Sequence, residues 1–327
     1  MKITHPIYGH FNITEPVLMA LLKSPAIQRL KKIDNLGAYH LHEDCAGNLS
    51  RYRHSLGVML LLRKFGASLN EQIAGLLHDV SHTAFSHLAD RVFGRHLTQD
   101  YQDQRLSQAF KINGINKILR GHQIAPEKIL DFSRYPLLER ELPDLCADRI
   151  DYTLNDSHLP YLTKNRPKNF LAHLIVSQNQ FVFSDKNWAK KFGLLSLRLN
   201  QKVWANPLNI ALSSTLAGLV KAALARKHIS KQDFYLTDKI FLAKLKKIKD
   251  SDIAEPLKRL KMMRVKVIGQ ASGQLYCRTK SRVVNPSFLQ GSRLVKLSVV
   301  DQSYHKKISA YNKILKKGFN VRILKAD

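Results

Sequence analysis

Helical spacing of apolar residues narrows most what this chain can become. Val17, Leu18, Leu21 and Leu22, then Ile27, Leu30 and Ile33, recur at i, i+3 and i+4. The spacing returns at His54, Val58, Leu61 and Leu62, and again at Ile73, Leu76, Leu77 and Val80. A half-buried strand alternates every second residue, so these runs read as helices, each with an apolar stripe that must pack on another helix. Thr14, before Glu15 and Pro16, reads as the first N-cap. Gly37, Gly66 and Gly114 read as helix stops, and Pro126, Pro136 and Pro143 as breaks between short helices. Residues 192–227 read as one or two buried helices interrupted near Pro207. Beyond about residue 261 the pattern shifts to short β-rich runs at 264–268, 274–278, 294–300 and 320–324, with a helical stretch over 303–317. The expected fold is mainly α, with a helical body over 1–230 and a small, basic C-terminal α+β subdomain over 231–327.

The 327 residues carry 53 Lys and Arg against 25 Asp and Glu, a formal charge of +28. With 44% hydrophobic residues the chain can still bury an ordinary core, which excludes a basic disordered tail. Residues 1–160 hold 19 basic against 17 acidic side chains, residues 161–327 hold 34 against 8, and 11 of the 14 histidines fall in the first half. Chemistry is therefore expected in the near-neutral half. Polyanion binding, of a nucleic acid or a nucleotide effector, is expected in the basic one. The lysines of 244–249 and 258–261 interleave with apolar residues at helical spacing, which also fits solvated helix faces. Cys45, Cys146 and Cys277 form no CxxC pair, against a disulfide framework or a cysteine zinc site. The N-terminus meets polar residues at once, and the apolar stretch Leu208–Val220 is short and broken by Asn209 and Ser213 to Thr215. A cytoplasmic protein with no membrane partner is the expectation.

Three strings carry chemistry: Arg51-Tyr-Arg-His54-Ser-Leu-Gly57; His78-Asp79-x-x-His82-x-x-x-x-His87-x-x-Asp90; and Asp148-Arg149-x-Asp151-Tyr152-x-x-x-Asp156. Adjacent His78 and Asp79 cannot share one helix face, so a simple i, i+4 zinc pair does not explain them. At a helix end, with ligands from neighbouring helices, they can converge on one ion. Two imidazoles and two carboxylates suit a divalent metal of the Mn, Fe or Mg kind.

These strings resemble the HD-domain phosphohydrolases, and among them the deoxynucleoside triphosphate triphosphohydrolase branch. So do His5-Pro6-Ile7-Tyr8-Gly9-His10, Gln28-Arg29-Leu30, Leu36-Gly37 and Arg282-Val283-Val284-Asn285-Pro286. The resemblance implies an HD-domain helical bundle with its metal site within about 50–160, and one divalent ion held by His54, His78, Asp79 and Asp148. It implies His82 and His87 as catalytic residues at the bridging phosphate, with Asp90 orienting His87. Arg51 and Arg149 would hold phosphate oxygens. Tyr152 and Asp156, with Asn35 and Leu36, would line the sugar site of a nucleotide substrate, and assembly as a homo-oligomer is expected. Three positions depart from that branch: Asn35 where Gln is usual, Gln102-Asp103 where His-Glu is common, and Trp204-Ala-Asn206-Pro207 where Tyr-x-His-Lys is common.

Overall fold

The computed structural model describes residues 1–45, 49–156, 166–269 and 275–324. At its centre the helix Arg51–Lys64 packs against Leu69–Leu77 on one side and Ala147–Asp156 on another. Ser50 and Ser68 cap the first two, accepting from the backbone N–H of Arg53 and Glu71. Gly66, at φ +74°, turns the chain between them. Ten residues of Arg51–Lys64 are buried, among them every one from His54 to Leu62, so neighbours wrap this helix all round over that span.

The first helix is Pro16–Lys23, and its N-cap is Glu15, whose side chain makes no cap bond; Thr14 lies one residue outside, which corrects the expected cap. Gly37, expected as a stop, opens a short 3-10 turn, Gly37–Leu41, at φ +60°. The stretch near Pro207 divides into the helix Lys186–Leu199, a π-helical turn Asn200–Trp204 and the helix Pro207–Ala225. That last helix, at 19 residues, is longer than the expected Leu208–Val220 and is apolar enough to cross a membrane by length and composition. Ile210, Ala211, Leu212 and Leu216 are fully buried inside the protein instead.

Nine strands form three sheets among the described residues. β1 (Lys2–His5) and β2 (Gly9–Asn12) make a hairpin. β3 (Leu174–Ser177) and β4 (Gln180–Phe183) pair antiparallel, as do β7 (Ser287–Gln290) and β8 (Arg293–Lys296). A parallel contact, Phe183 with Phe288, joins the two hairpins in the order β3-β4-β7-β8. β9 (Phe319–Leu324) lies between β5 (Arg264–Ile268) and β6 (Leu275–Cys277), antiparallel to both. The run 294–300 is therefore not one strand. Its ladder ends at Lys296, opposite Ser287, because Pro286 precedes the partner strand and has no N–H. Leu297 N–H donates to the Pro286 carbonyl and the chain turns into the short helix Leu297–Val300. Strands β1 to β4 and β7 lie outside the expected runs, and β1 to β4 lie inside the expected all-α body. The long helix Gln302–Lys317 matches expectation.

Two apolar clusters result. One surrounds Arg51–Lys64 and its neighbours. The other joins Pro207–Ala225 to Ala84, Phe85 and Leu88 of the histidine-rich loop and to Leu297, Tyr304 and Val321 near the C-terminus.

Candidate active site

His54 sits one turn into its helix, and both ring nitrogens face acidic side chains. Nδ1–H donates to Asp151 Oδ2 at 2.7 Å, and Nε2 lies 2.9 Å from Asp148 Oδ1 and 3.6 Å from Asp79 Oδ2. Asp148 and Asp151, three apart, share a face of Ala147–Asp156. Asp151 is fully buried and also accepts the Tyr8 hydroxyl at 2.6 Å. His78 ends the helix Leu69–Leu77; its Nδ1–H donates to the Gly75 carbonyl at 2.7 Å, which turns Nε2 inward. That Nε2 is buried without a hydrogen-bond partner, 3.5 Å from Asp79 Oδ1 and 3.6 Å from Asp148 Oδ1. One donor atom each from His54, His78 and Asp148 lie within 4.8 Å of one another.

Both rings thus have their Nδ1 fixed by an acceptor and their Nε2 aimed at a shared pair of carboxylates, the arrangement that orients imidazole toward a metal. Two nitrogens and two carboxylates at this spacing could hold one divalent ion. Electrostatics agree. Burial disfavours a charged His54, yet hydrogen bonds to Asp148 and Asp151 outweigh it and push the ring up to about 10. Burial opposes ionisation of Asp148 and Asp79, yet His54 and His78 hold the first, and Arg51, His78 and His82 the second, well below the usual carboxylate range.

The loop that follows carries His82 and His87. Phe85 and Ser86 both occupy the left-handed region, at φ 56° and 54°, a strained pair that surrounding bonds must hold. Buried Asp238 accepts from the N–H groups of Phe85 and Asp34, both at 2.7 Å, tying this loop to the Asn35–Gly37 segment. His82 Nε2 lies 3.1 Å from Asp79 Oδ1, and burial with nearby Arg51 lowers its pKa to about 3, so the ring is neutral. His87 Nδ1–H donates to Asp90 Oδ2 at 2.9 Å; burial, then Arg282 and Arg51, hold its pKa well below the usual value. The two rings meet edge to face, 5.1 Å apart.

A cavity of about 320 Å3 opens on this cluster. Asn35, Leu36, Arg51, Arg149 and Tyr152 line it, with His54, His78, Asp79, His82, His87 and Asp148. Arg51 is the counter-ion of Asp79 (2.7 Å) and donates to Ser86 Oγ, while Arg149 pairs with Glu139 at 2.8 Å. Asp156 accepts the Trp204 indole N–H at 2.6 Å, and of the two it is Trp204 that faces the cavity, edge-on to Tyr152. Gln102 and Asp103 line it as well; burial, then Asp79, raises Asp103 to about 6. Asp90 supports His87 from the helix Leu88–Val92.

Sequence reasoning missed Asp151, Tyr8, Asp238, Glu139 and Arg282 as parts of this site. Asp151 left a local signal, its i, i+3 spacing from Asp148, and Tyr8 and Arg282 fall in strings that carry the resemblance; Asp238 and Glu139 left none. Arg282 comes from the C-terminal segment, 195 residues beyond His87, and donates to His87 Nε2 at 3.1 Å.

Comparison with known proteins fits this geometry. The HD domain family matches residues 51–156, the span from the start of the His54 helix to Asp156. The chain is 37% identical to the uncharacterized protein YdhJ of Bacillus subtilis over 329 residues, covering 99% of this chain and all of that one. It is 31% identical to a metal-dependent phosphohydrolase of Cordyceps militaris over 64% of this chain and 62% of that protein. It is 27% identical to a deoxynucleoside triphosphate triphosphohydrolase of Homo sapiens over 56% of this chain and 31% of that protein. A phosphohydrolase from Bacteroides thetaiotaomicron shares the fold along both entire chains, with a TM-score of 0.76 at 16% identity. The chain belongs to the HD-domain family of metal-dependent phosphohydrolases.

Proposed function

We propose that the protein hydrolyses a nucleotide, a deoxynucleoside triphosphate, to the deoxynucleoside and triphosphate. His54, His78, Asp79 and Asp148 would hold a single divalent ion, which when bound polarises a phosphoryl oxygen and lowers the pKa of a bound water. The observation that carries this reading is the convergence of two inward-facing Nε2 atoms and two carboxylates at the floor of a cavity rich in arginine. Arg51 and Arg149, each anchored by one carboxylate, would orient phosphate oxygens with their remaining N–H groups. His82, neutral and buried, would donate to the phosphate without adding charge. His87, oriented by Asp90 through its Nδ1–H, would face the leaving oxygen with Nε2 and deliver to it a proton taken up there from water. Tyr152 would pack on the sugar, and the triphosphate branch is supported by the similarity to the human enzyme. The sugar end is also where this chain is distinctive, since a sugar hydroxyl would have to compete with the Trp204 indole for Asp156.

Purified protein with manganese, assayed against deoxynucleoside triphosphates, ribonucleotides, monophosphates and labelled single-stranded DNA, tests the reading through its product. Inorganic triphosphate is expected. Nucleotide fragments from DNA would support instead a nuclease, the reading that the net charge of +28 favours. His78→Ala is expected to lose bound metal and roughly 10³-fold in turnover, and full activity in that variant would remove His78 from the site.

A further inference from the structure

Five cationic side chains line the cavity: Arg51, Arg91, Arg149, Lys280 and Arg282. Arg51 and Arg149 are each paired with a carboxylate, and Arg91 donates to Ser214 Oγ at 3.0 Å. Arg282 differs. Its guanidinium is half-buried and donates to Gln99 Oε1 at 2.5 Å and to His87 Nε2, and it lies 5.8 Å from the centre of the Tyr152 ring. Among the described residues these contacts are all to neutral groups, and none is to His54, His78, Asp79 or Asp148. Lys280, two residues earlier, donates to the Thr98 carbonyl, again a neutral acceptor.

A guanidinium cannot shed its charge, and an imidazole nitrogen or an amide oxygen satisfies it less well than a phosphate oxygen, which accepts charge-assisted, bidentate bonds. Its backbone is anchored for such a role. Arg282 N–H donates to Asn200 Oδ1 at 3.2 Å, at the start of the π-helical turn, and the Tyr304 hydroxyl donates to the Val284 carbonyl at 2.6 Å. The Arg282 segment is thus tied both to the cavity wall and to the long helix Gln302–Lys317. The site brings together a cluster fit for one phosphoryl group and, between His87 and Tyr152, a guanidinium with no carboxylate partner among the described residues.

We propose that Arg282 binds the phosphate chain of the substrate beyond the phosphoryl group at the cluster, exchanging His87 and Gln99 for phosphate oxygens, and so makes the site select polyphosphates over monophosphates. The inference rests on the nucleotide reading above and specifies its substrate class. The exchange makes and breaks hydrogen bonds only, and it releases His87 Nε2 to face the substrate.

Titration calorimetry with inorganic tripolyphosphate and with orthophosphate, at a fixed free manganese concentration, tests it without requiring turnover. Arg282→Ala is expected to weaken tripolyphosphate binding by roughly 10- to 100-fold, the worth of a hydrogen bond to a charged group, and to leave orthophosphate binding unchanged. Arg282→Lys keeps the charge without the fork and is expected to recover part of the loss. Lys306→Ala removes the same charge from an exposed site on Gln302–Lys317 and is expected to change neither. Equal tripolyphosphate affinity in wild type and Arg282→Ala overturns the proposal, as does an equal loss in Lys306→Ala. Should Arg282→Ala fail to fold, Arg282→Gln and Arg282→Lys carry the same comparison. Hydrolysis of deoxynucleoside triphosphates with KM unchanged in Arg282→Ala strikes this proposal alone. Loss of tripolyphosphate binding in a protein that cleaves no nucleotide strikes only the nucleotide reading.

Discussion

Asp151 shows how much of the proposed metal site lies outside its ligands. Its carboxylate fixes the His54 ring through Nδ1 and is itself held by the Tyr8 hydroxyl. Asp151→Asn preserves the shape and removes the charge, so metal affinity is expected to drop about 10- to 100-fold, measurable by competition with a chelating dye. The same ring gives a pH signature. In the metal-free protein His54 titrates near 10 against 6.5 when unfolded, so its proton contributes stability that is whole below pH 6.5 and is lost as pH rises through about 10. In the proposed site, metal would take the place of that proton. Thermal unfolding is therefore expected to weaken between pH 7 and 10 more steeply for the metal-free protein than for the metal-loaded one, and parallel curves would contradict the assignment. The strings around His54, His78 and Asp148 are local enough to be read in sequence. The partner of His54 Nδ1 is not, because it is settled by how two helices 97 residues apart in the chain are packed.

At the level of elements, that packing depends on one missing side chain. A Cβ at Gly57 would overlap Asp151 Oδ1, so Arg51–Lys64 can approach Ala147–Asp156 only with glycine there. Gly57→Ala is expected to destabilise the fold by about 1–3 kcal/mol and to weaken metal binding in step, read by denaturant unfolding and metal titration on the same samples. Helix periodicity was legible because 3.6-residue spacing persists over several turns. The β1-β2 and β3-β4 hairpins were not, since each strand has four residues, too few for alternation to stand out. Their burial also comes from contacts such as Phe183 with Phe288 that no local window contains. The run 294–300 looked uniform in β propensity, and Pro286 on the opposite strand decided where it stopped.

Over the whole molecule the charge remains concentrated in residues 161–327, and Lys280 and Arg282 are the basic side chains of that half that line the cavity. If the surplus serves polyanion binding, affinity for a labelled single-stranded oligonucleotide is expected to fall by on the order of 10³ or more between 50 and 200 mM salt, as for proteins that neutralise several phosphates. A shallow salt slope would assign the lysines to solvated helix faces. Composition alone separates neither case, because a surface lysine and a phosphate-binding one look the same in sequence. The reach of Arg282 back to His87 also sets an order of assembly. During synthesis at about 5–20 residues per second, Arg282 follows His87 out of the ribosome by roughly 10 to 40 s. From the emergence of Asp148 to that of Arg282 the nascent chain can gather its two histidines and two carboxylates while the cavity above them lacks part of its wall. A protein that completes its substrate site last is idle until it is whole, and a chain ending between the helix Pro207–Ala225 and the C-terminal sheet is expected to keep the metal and lose the substrate.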